Sequence, residues 1–231
     1  CMRSFPPLRA VLFDFDDTLA DTLPAREEAM RRTFQELGIT HIGPDEFTHQ
    51  ARGMPLQTAL DGFDGGRGKA LGLTRIYRRH YWHRGPGFIR LFPGVDALLA
   101  GIAAVGLPMA VITSKAREIQ VEGVRSGAVV EYEELGIAHY FADTVGAEDV
   151  THAKPHPEGV ERMLAHLGVA PQEALMVGDA ATDVLAGAAA GCWTALAAWG
   201  LDAETRAAQA GACEPHLVAA SPADLLAAIR P

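Results

Sequence analysis

The segment Val11-Leu12-Phe13-Asp14-Phe15-Asp16-Asp17-Thr18-Leu19 is the most informative part of the chain for its fold. In it, an apolar run typical of a buried strand ends abruptly in three acids. Carboxylates this close repel one another, and each resists ionisation beside the others. A divalent cation with oxygen ligands would offset that repulsion. The segment therefore predicts a metal site at the end of a buried strand.

Working outward, the bulk composition is that of an ordinary globular protein. The chain has 231 residues, which favours one large domain or a core with a smaller partner domain. The hydrophobic content of 48% and charged content of 21% fall in the usual globular range. The net charge of -9 argues against a nucleic-acid partner, since such proteins normally carry a basic surface.

Cysteine usage and hydropathy indicate a cytoplasmic protein. The three cysteines are Cys1, Cys192 and Cys213. Their odd number and their spacing favour a reducing compartment over a disulfide framework. The uncharged stretches 97–113 and 184–201 are interrupted by a Gly-Leu-Pro turn or dominated by Ala and Gly, so we expect no membrane span and no membrane partner. The N-terminal residues lack the long apolar region of a secretion signal, so we expect none.

Strand and helix patterns alternate along the chain. The predicted strands are 8–14, 107–113, 144–147, 174–179, 194–198 and 216–220. The predicted helices are 24–37, 95–105, 117–135 with a break near Ser126-Gly127, 157–167, 183–190 and 222–229, the last capped by Ser221. This alternation predicts an α/β fold, a doubly wound Rossmann-like parallel sheet with helices on both faces. Sites in such sheets lie at the carboxyl ends of the strands.

The pattern also predicts two domains. Residues 40–89 remain helical but polar and contain glycine clusters, which indicates a helical unit inserted after the first strand. We therefore assign 1–20 and 89–231 to a Rossmann-like core domain, and 21–88 to a small helical cap domain.

Four segments carry polar side chains that the predicted sheet would bring to one edge. They are Asp14-Phe15-Asp16-Asp17-Thr18-Leu19-Ala20-Asp21, Val111-Ile112-Thr113-Ser114-Lys115, Lys154-Pro155-His156-Pro157-Glu158 and Gly178-Asp179-Ala180-Ala181-Thr182-Asp183. Together and in this order, they resemble the haloacid dehalogenase (HAD) superfamily of hydrolases, in its phosphoglycolate phosphatase-like branch with a helical cap. The resemblance covers essentially the whole chain.

The resemblance implies a role for each acid. Asp14 would be the nucleophile that attacks phosphorus, and Asp16 the general acid and base. Mg²⁺ would be held by Asp14, by the backbone carbonyl of Asp16 and by Asp179. Asp183 would support the site by orienting Lys154 or a metal-bound water.

The resemblance also implies the groups that meet the substrate. The Thr113 hydroxyl and the Ser114 amide would bind phosphoryl oxygens, and Lys154 would balance their charge. Arg52, in a glycine-containing loop of the cap, is a candidate substrate ligand. Two departures from the family pattern are Asp17, where glycine is frequent, and Ser114, where asparagine is frequent; residues 116–132 also form a longer stretch than usual.

The function that follows is a Mg²⁺-dependent phosphatase acting on a small phosphate monoester, phosphoglycolate-like or sugar-phosphate-like, through an aspartyl-phosphate. The partner would be a small phosphorylated metabolite, and the protein a monomer or homodimer. Two alternatives stay open: a β-phosphoglucomutase-like phosphomutase, and a non-catalytic binding module on the same fold. For the acids, the blander interpretations are a solvated turn after the first strand and capping of a helix by Asp179 or Asp183.

Overall fold

The computed structural model describes residues 5–51, 56–84 and 87–229. Within them the strands are β1 (Ala10–Phe13), β2 (Ala20–Asp21), β3 (Arg90–Leu91), β4 (Met109–Ile112), β5 (Ile119–Val121), β6 (Val124–Ser126), β7 (Phe141–Val145), β8 (Ala174–Gly178), β9 (Trp193–Ala197) and β10 (Leu217–Ala219). The α-helices are α1 (Leu23–Leu37), α2 (Pro44–Gln50), α3 (Leu56–Leu71), α4 (Leu73–Trp82), α5 (Val95–Ala104), α6 (Ala128–Glu134), α7 (Glu158–Leu167), α8 (Ala181–Ala189), α9 (Ala203–Cys213) and α10 (Pro222–Ile229).

A six-stranded parallel sheet in the order β10-β9-β8-β1-β4-β7 forms the centre of the fold. The three central strands β8, β1 and β4 are buried along their whole length, which explains their continuous apolar sequences. Val11 and Phe13 pack into a hydrophobic cluster that includes α5, while Ala10 and Leu12 pack into a second cluster that includes α7. Both faces of the sheet are therefore covered, and the predicted α/β class is confirmed.

The chain divides into two compact units. The first contains Cys1–Asp21, Leu91–Glu118 and Gly127–Pro231 and carries the six-stranded sheet. The second contains Thr22–Arg90 and Ile119–Ser126. The sequence-based division placed everything after residue 89 in the core, and so did not assign 119–126 to the helical unit.

The helical unit has an aromatic centre. Phe34 of α1, Phe47 of α2 and Phe63 of α3 contact one another with ring centroids 5.3 to 5.8 Å apart. Helix α3 is broken at Asp64-Gly65-Gly66, where all three residues have positive φ. Glycine adopts this conformation without a steric penalty, so the glycine cluster marks a sharp change of direction rather than a loop between domains.

The hairpin β5–β6 corrects the predicted helix at 117–135. The strands Ile119–Val121 and Val124–Ser126 pair antiparallel, joined by Glu122-Gly123 with φ of 49° and 83°. Two consecutive positive φ values are the geometry of a tight two-residue hairpin turn, and the β-branched residues beside it favour strands. The helix α6 begins only at Ala128, after Gly127.

Two further features differ from or add to the predicted elements. Helix α9, which the sequence did not predict, is capped by Asp202, whose side chain accepts a hydrogen bond from the Thr205 amide at 2.7 Å. Ser221 caps α10 as expected, since its hydroxyl accepts from the Asp224 amide at 3.1 Å. In the described residues, none of the helices combines the length and the apolar character needed to cross a bilayer.

Candidate active site

Sheet register brings the polar ends of the three central strands together. Phe13 pairs with Val111 on one side and with Val177 on the other. Asp14, Thr113 and Asp179 are the first residues after β1, β4 and β8, so they lie at the same carboxyl edge of the sheet. Parallel α/β sheets place their sites at this edge. The Asp14 amide continues the ladder by donating to the Val177 carbonyl at 2.8 Å.

A buried ion-pair network lies at this edge. The Nζ of Lys154 donates to Asp14 Oδ1 at 2.6 Å and to the Ile112 carbonyl at 3.0 Å, and it lies 2.6 Å from Asp183 Oδ1. The side chains of Lys154, Asp14 and Asp183 are respectively 8%, 9% and 3% exposed. A loop residue thus reaches back into the sheet edge and contacts acids from two other segments.

The network shifts the ionisation of its members. Burial raises the pKa of Asp14 to about 7; Lys154 acts in the opposite direction, and the carboxylates of Asp183 and Asp16 add to the rise. Burial by itself would lower the pKa of Lys154, but Asp14 and Asp183 outweigh it and the pKa lies above its ordinary value. Lys154 is therefore a fixed cation, whereas burial disfavours the anionic form of Asp14.

The acids offer a donor set that suits a divalent cation. Carboxylate oxygens of Asp14, Asp179 and Asp183 lie within 4.8 Å of one another, and all three residues are buried. Hard oxygen donors of this kind fit Mg²⁺. Lys154 contacts Asp14 and Asp183, and a bound cation would further relieve the repulsion among the three carboxylates. Both oxygens of Asp183 have partners, because Oδ1 meets Lys154 and Oδ2 accepts from the Ala180 amide at 3.1 Å.

Asp183 makes contacts of two kinds. It caps helix α8 and it contacts Lys154. Its position depends on Gly178, where a Cβ atom would lie 2.3 Å from the Asp183 side chain. No side chain other than hydrogen fits at residue 178 without displacing this carboxylate.

Thr18 links two strand ends and was not singled out from the sequence. Its hydroxyl lies 3.4 Å from Asp14 Oδ2 and 3.5 Å from Asp179 Oδ1, and it accepts from the Asp179 amide at 3.0 Å. The Thr18 carbonyl in turn accepts from the indole of Trp199 at 2.8 Å. The sequence placed Thr18 within the first acidic segment, but it did not indicate which groups the Thr18 side chain contacts.

Asp16 sits in a different electrostatic setting from Asp14. Its Oδ1 accepts from Lys115 Nζ at 2.8 Å, and the same ammonium donates to Glu131 Oε2 at 2.5 Å. Lys115 belongs to the segment Val111-Ile112-Thr113-Ser114-Lys115 noted in the sequence, but the sequence indicated no role for it. Glu131 carries no sequence signal, because it lies within the predicted helical stretch 117–135, after the predicted break near Ser126-Gly127.

The remaining predicted residues fall into three groups. Thr113 is buried and its Oγ1 accepts from the Lys115 amide at 3.1 Å, which leaves its hydroxyl hydrogen available. Ser114 is exposed, and no helix starts there, so the expected helix N-terminus beside its amide is wrong. Arg52 lies outside the described residues.

Asp17 explains one departure from the family pattern. Its φ is 59°, a left-handed conformation that glycine adopts most easily and that aspartate tolerates better than most residues. Its amide donates to the Ala20 carbonyl at 2.8 Å. The residue is thus accounted for by a turn after the first strand.

Comparison with known proteins agrees with this arrangement. Residues 11–197 match the family described as haloacid dehalogenase-like hydrolase. The chain is 31% identical over 194 residues to pyrophosphatase PpaX of Oceanobacillus iheyensis, covering 84% of this chain and 85% of that protein. It is 33% identical over 198 residues to a phosphoglycolate phosphatase of Yersinia pseudotuberculosis, covering 83% and 81% of the two chains.

A solved structure supports the fold. The haloacid dehalogenase-like family hydrolase from Streptococcus pneumoniae superposes with a TM-score of 0.80 at 24% identity, covering 96% of this chain and 99% of that one. The chain belongs to the haloacid dehalogenase-like hydrolase family. The predicted family and the predicted enzyme class, a HAD-type phosphatase, are confirmed by these relatives.

Proposed function

We propose that this protein is a Mg²⁺-dependent phosphatase that hydrolyses a small phosphate monoester through an aspartyl-phosphate on Asp14. The observation that carries the proposal is the placement of Asp14: a buried carboxylate at the sheet edge, 2.6 Å from a buried lysine and within 4.8 Å of two further acids. A solvated turn or a helix cap does not require such a set of charges.

Asp14 would act as the nucleophile. Its oxygen attacks phosphorus, the P–O bond to the leaving group breaks, and water later cleaves the acyl phosphate to release phosphate and regenerate the carboxylate. Lys154 donates to the equatorial phosphoryl oxygens as charge moves through the transition state. Thr113 supplies a hydroxyl hydrogen to the same oxygens, since its Oγ1 is fixed by the Lys115 amide.

Asp16 would handle the protons. It gives a proton to the leaving oxygen in the first step, and takes one from the attacking water in the second. Its side chain is 24% exposed, less buried than Asp14, so it has access to water for the second step.

The metal-binding residues would be Asp14, Asp179 and the backbone carbonyl of Asp16, with Asp183 holding the surrounding groups in place. When bound, Mg²⁺ supplies positive charge that offsets the repulsion between the phosphate dianion and the carboxylates. A cation held here would also favour the anionic form of Asp14, which the attack requires and which burial disfavours by raising the pKa.

The substrate class follows from the relatives rather than from the site. Two are named phosphoglycolate phosphatase and pyrophosphatase, and both substrates are small and carry a second anionic group beside the phosphoryl group. The corresponding proposal here is a phosphoglycolate-like monoester, with a sugar phosphate as the second candidate and Arg52 as a candidate substrate ligand. We place the activity in the cytoplasm, in line with the free, buried Cys192 and Cys213.

The test is hydrolysis of a panel of small phosphates with Mg²⁺ by the wild type and by Asp14→Asn. Phosphoglycolate, pyrophosphate and several sugar monophosphates form the panel, and released phosphate is the readout. We expect turnover of at least one compound by the wild type alone, loss of it with a chelator, and recovery with added Mg²⁺. Chelator-resistant turnover, or native turnover by Asp14→Asn, would contradict the proposal.

The same panel tests the phosphomutase alternative. A sugar monophosphate is supplied with and without its bisphosphate, and the products are separated. Isomerisation that depends on the bisphosphate would favour a mutase, whereas release of phosphate alone favours the phosphatase.

A further inference from the structure

Lys115 lies between two carboxylates that come from different parts of the first unit. Its Nζ donates to Asp16 Oδ1 at 2.8 Å and to Glu131 Oε2 at 2.5 Å, and it lies 5.5 Å from the centroid of the Phe15 ring. The Lys115 side chain is 16% exposed and that of Glu131 is 0% exposed. The lysine is therefore held on one side by a fully buried acid.

Burial of Glu131 has a consequence for the lysine. An isolated carboxylate in an apolar setting is strongly disfavoured, and a paired one is tolerated only with good geometry. Glu131 lies in helix α6, whose buried residues also include Ala128 and Tyr132 of the hydrophobic core. The helix thus provides a rigid anchor, and Lys115 has little freedom to leave it.

The two lysines at this edge have different partners. The Lys115 ammonium contacts Asp16 and the fully buried Glu131. Lys154 instead contacts Asp14 and Asp183, two of the acids that form the candidate metal cluster. The two lysines at this sheet edge therefore have different tasks.

We propose that Lys115, anchored by Glu131, is a positioning residue that holds the Asp16 carboxylate in the orientation from which it protonates the leaving group. This inference rests on the proposed function, since it assigns a partner to the proton-transfer residue. The Lys115 amide also donates to Thr113 Oγ1, so the same residue fixes a phosphate-contacting hydroxyl.

The dependence on the leaving group separates positioning of a proton donor from general structural support. An alkyl phosphate needs a proton on its departing oxygen, while p-nitrophenyl phosphate releases a stable anion and needs almost none. The value of kcat/KM reports the step in which the leaving group departs. We therefore compare kcat/KM for an alkyl phosphate and p-nitrophenyl phosphate, with Mg²⁺, in each variant.

For Lys115→Met, we expect kcat/KM on the alkyl phosphate to fall about 100-fold, and on p-nitrophenyl phosphate less than about 5-fold, the contrast expected when general acid catalysis is impaired. Asp16→Asn should show the same contrast. Lys115→Met combined with Asp16→Asn should be no worse than Asp16→Asn alone, because both changes disable one unit.

A second variant guards against loss of folding. Lys115→Met leaves Glu131 buried without this partner, so we also use Lys115→Met with Glu131→Leu, which removes both charges of the pair and is usually tolerated better. Its thermal unfolding is measured beside that of the wild type. We expect a cooperative transition and the same contrast between the two substrates.

Equal losses on both substrates, or independent effects of Lys115→Met and Asp16→Asn, would overturn the inference while leaving the proposed function intact. A wild type that hydrolyses none of the phosphate esters would overturn the proposed function and the inference with it. The two failures are thus distinguished by wild-type turnover.

Discussion

Lys154 Nζ lies 2.6 Å from Asp14 Oδ1, although 140 residues separate the two in the chain. The contact joins the loop before α7 to the end of β1, and Asp183 joins it from the start of α8. Lys154 is therefore not a solvent-exposed surface lysine. It is the buried counter-charge of the proposed nucleophile.

Removing that counter-charge should disable the site. Lys154→Met should lower kcat/KM by about 100-fold or more, since fixed charges aimed at the transition state contribute about 3 kcal/mol in comparable cases. The pKa of Asp14 should rise further in this variant, because burial then acts without the lysine. Steady-state kinetics at saturating Mg²⁺ gives the first result. Lys69→Met, the same change at an exposed position of α3, is the matched control.

The two acids assigned to the metal should differ in their effects. Asp14→Asn should abolish turnover yet weaken Mg²⁺ binding less than Asp179→Ala, since the amide keeps one oxygen while alanine removes both. Calorimetric titration of Mg²⁺ into each purified variant gives the affinities. Equal affinities for the two variants would contradict the assigned ligand set.

Gly178 should be intolerant of even a methyl group. A Cβ at this position would meet the Asp183 side chain at 2.3 Å, so Gly178→Ala must displace the carboxylate that holds Lys154. We expect a loss of about 1–3 kcal/mol in the free energy of unfolding, together with reduced activity. Chemical denaturation and kinetics on the same sample measure both effects.

A matched control for Gly178 lies in the helical unit. Gly62 has open space where its Cβ would be. Gly62→Ala should leave activity unchanged and alter stability by less than about 1 kcal/mol. A large effect at Gly62 as well would indicate that glycine replacement harms this protein for general reasons.

Glu158 should make stability depend on acid pH. Its carboxylate accepts from the backbone amides of Thr151 and His152, each at 2.9 Å, and these bonds lower its pKa from 4.5 to about 2. A group with a depressed folded-state pKa stabilises the protein above its unfolded value and loses this contribution as the pH falls. Glu158→Gln should therefore destabilise at pH 7 more than at pH 2. Urea unfolding at several pH values tests this, and a constant difference between the two proteins would contradict it.

The polar residues at the strand ends could be predicted from the sequence, because each one follows a local apolar run. Asp14, Thr113 and Asp179 each follow an apolar run, and a parallel sheet necessarily gathers such ends at one edge. The arrangement around Lys115 could not be predicted in this way. Glu131 lies 16 residues further along, and nothing in its neighbourhood indicates that its side chain is buried against a lysine.

The hairpin and α9 are two elements that the hydrophobic pattern of the sequence did not predict. The sequence prediction was a helix over 117–135, yet the Glu122-Gly123 turn and its β-branched neighbours form a hairpin. Packing within the helical unit, where β5 contacts α4, favours the strands. Helix α9 is rich in alanine and mostly exposed, so it lacks the strong apolar stripe from which helices are predicted.

The contact between Thr18 and Asp179 affects when the site can form during synthesis of the chain. Its hydroxyl meets the Asp179 amide across 161 residues of chain, and Lys154 reaches Asp14 across 140. A nascent chain that has left the ribosome only as far as α6 already carries the first acids, but neither the lysine nor the second acidic segment that completes them. Catalytic competence therefore arrives late, and no fragment lacking the β8–α8 region would contain a finished site.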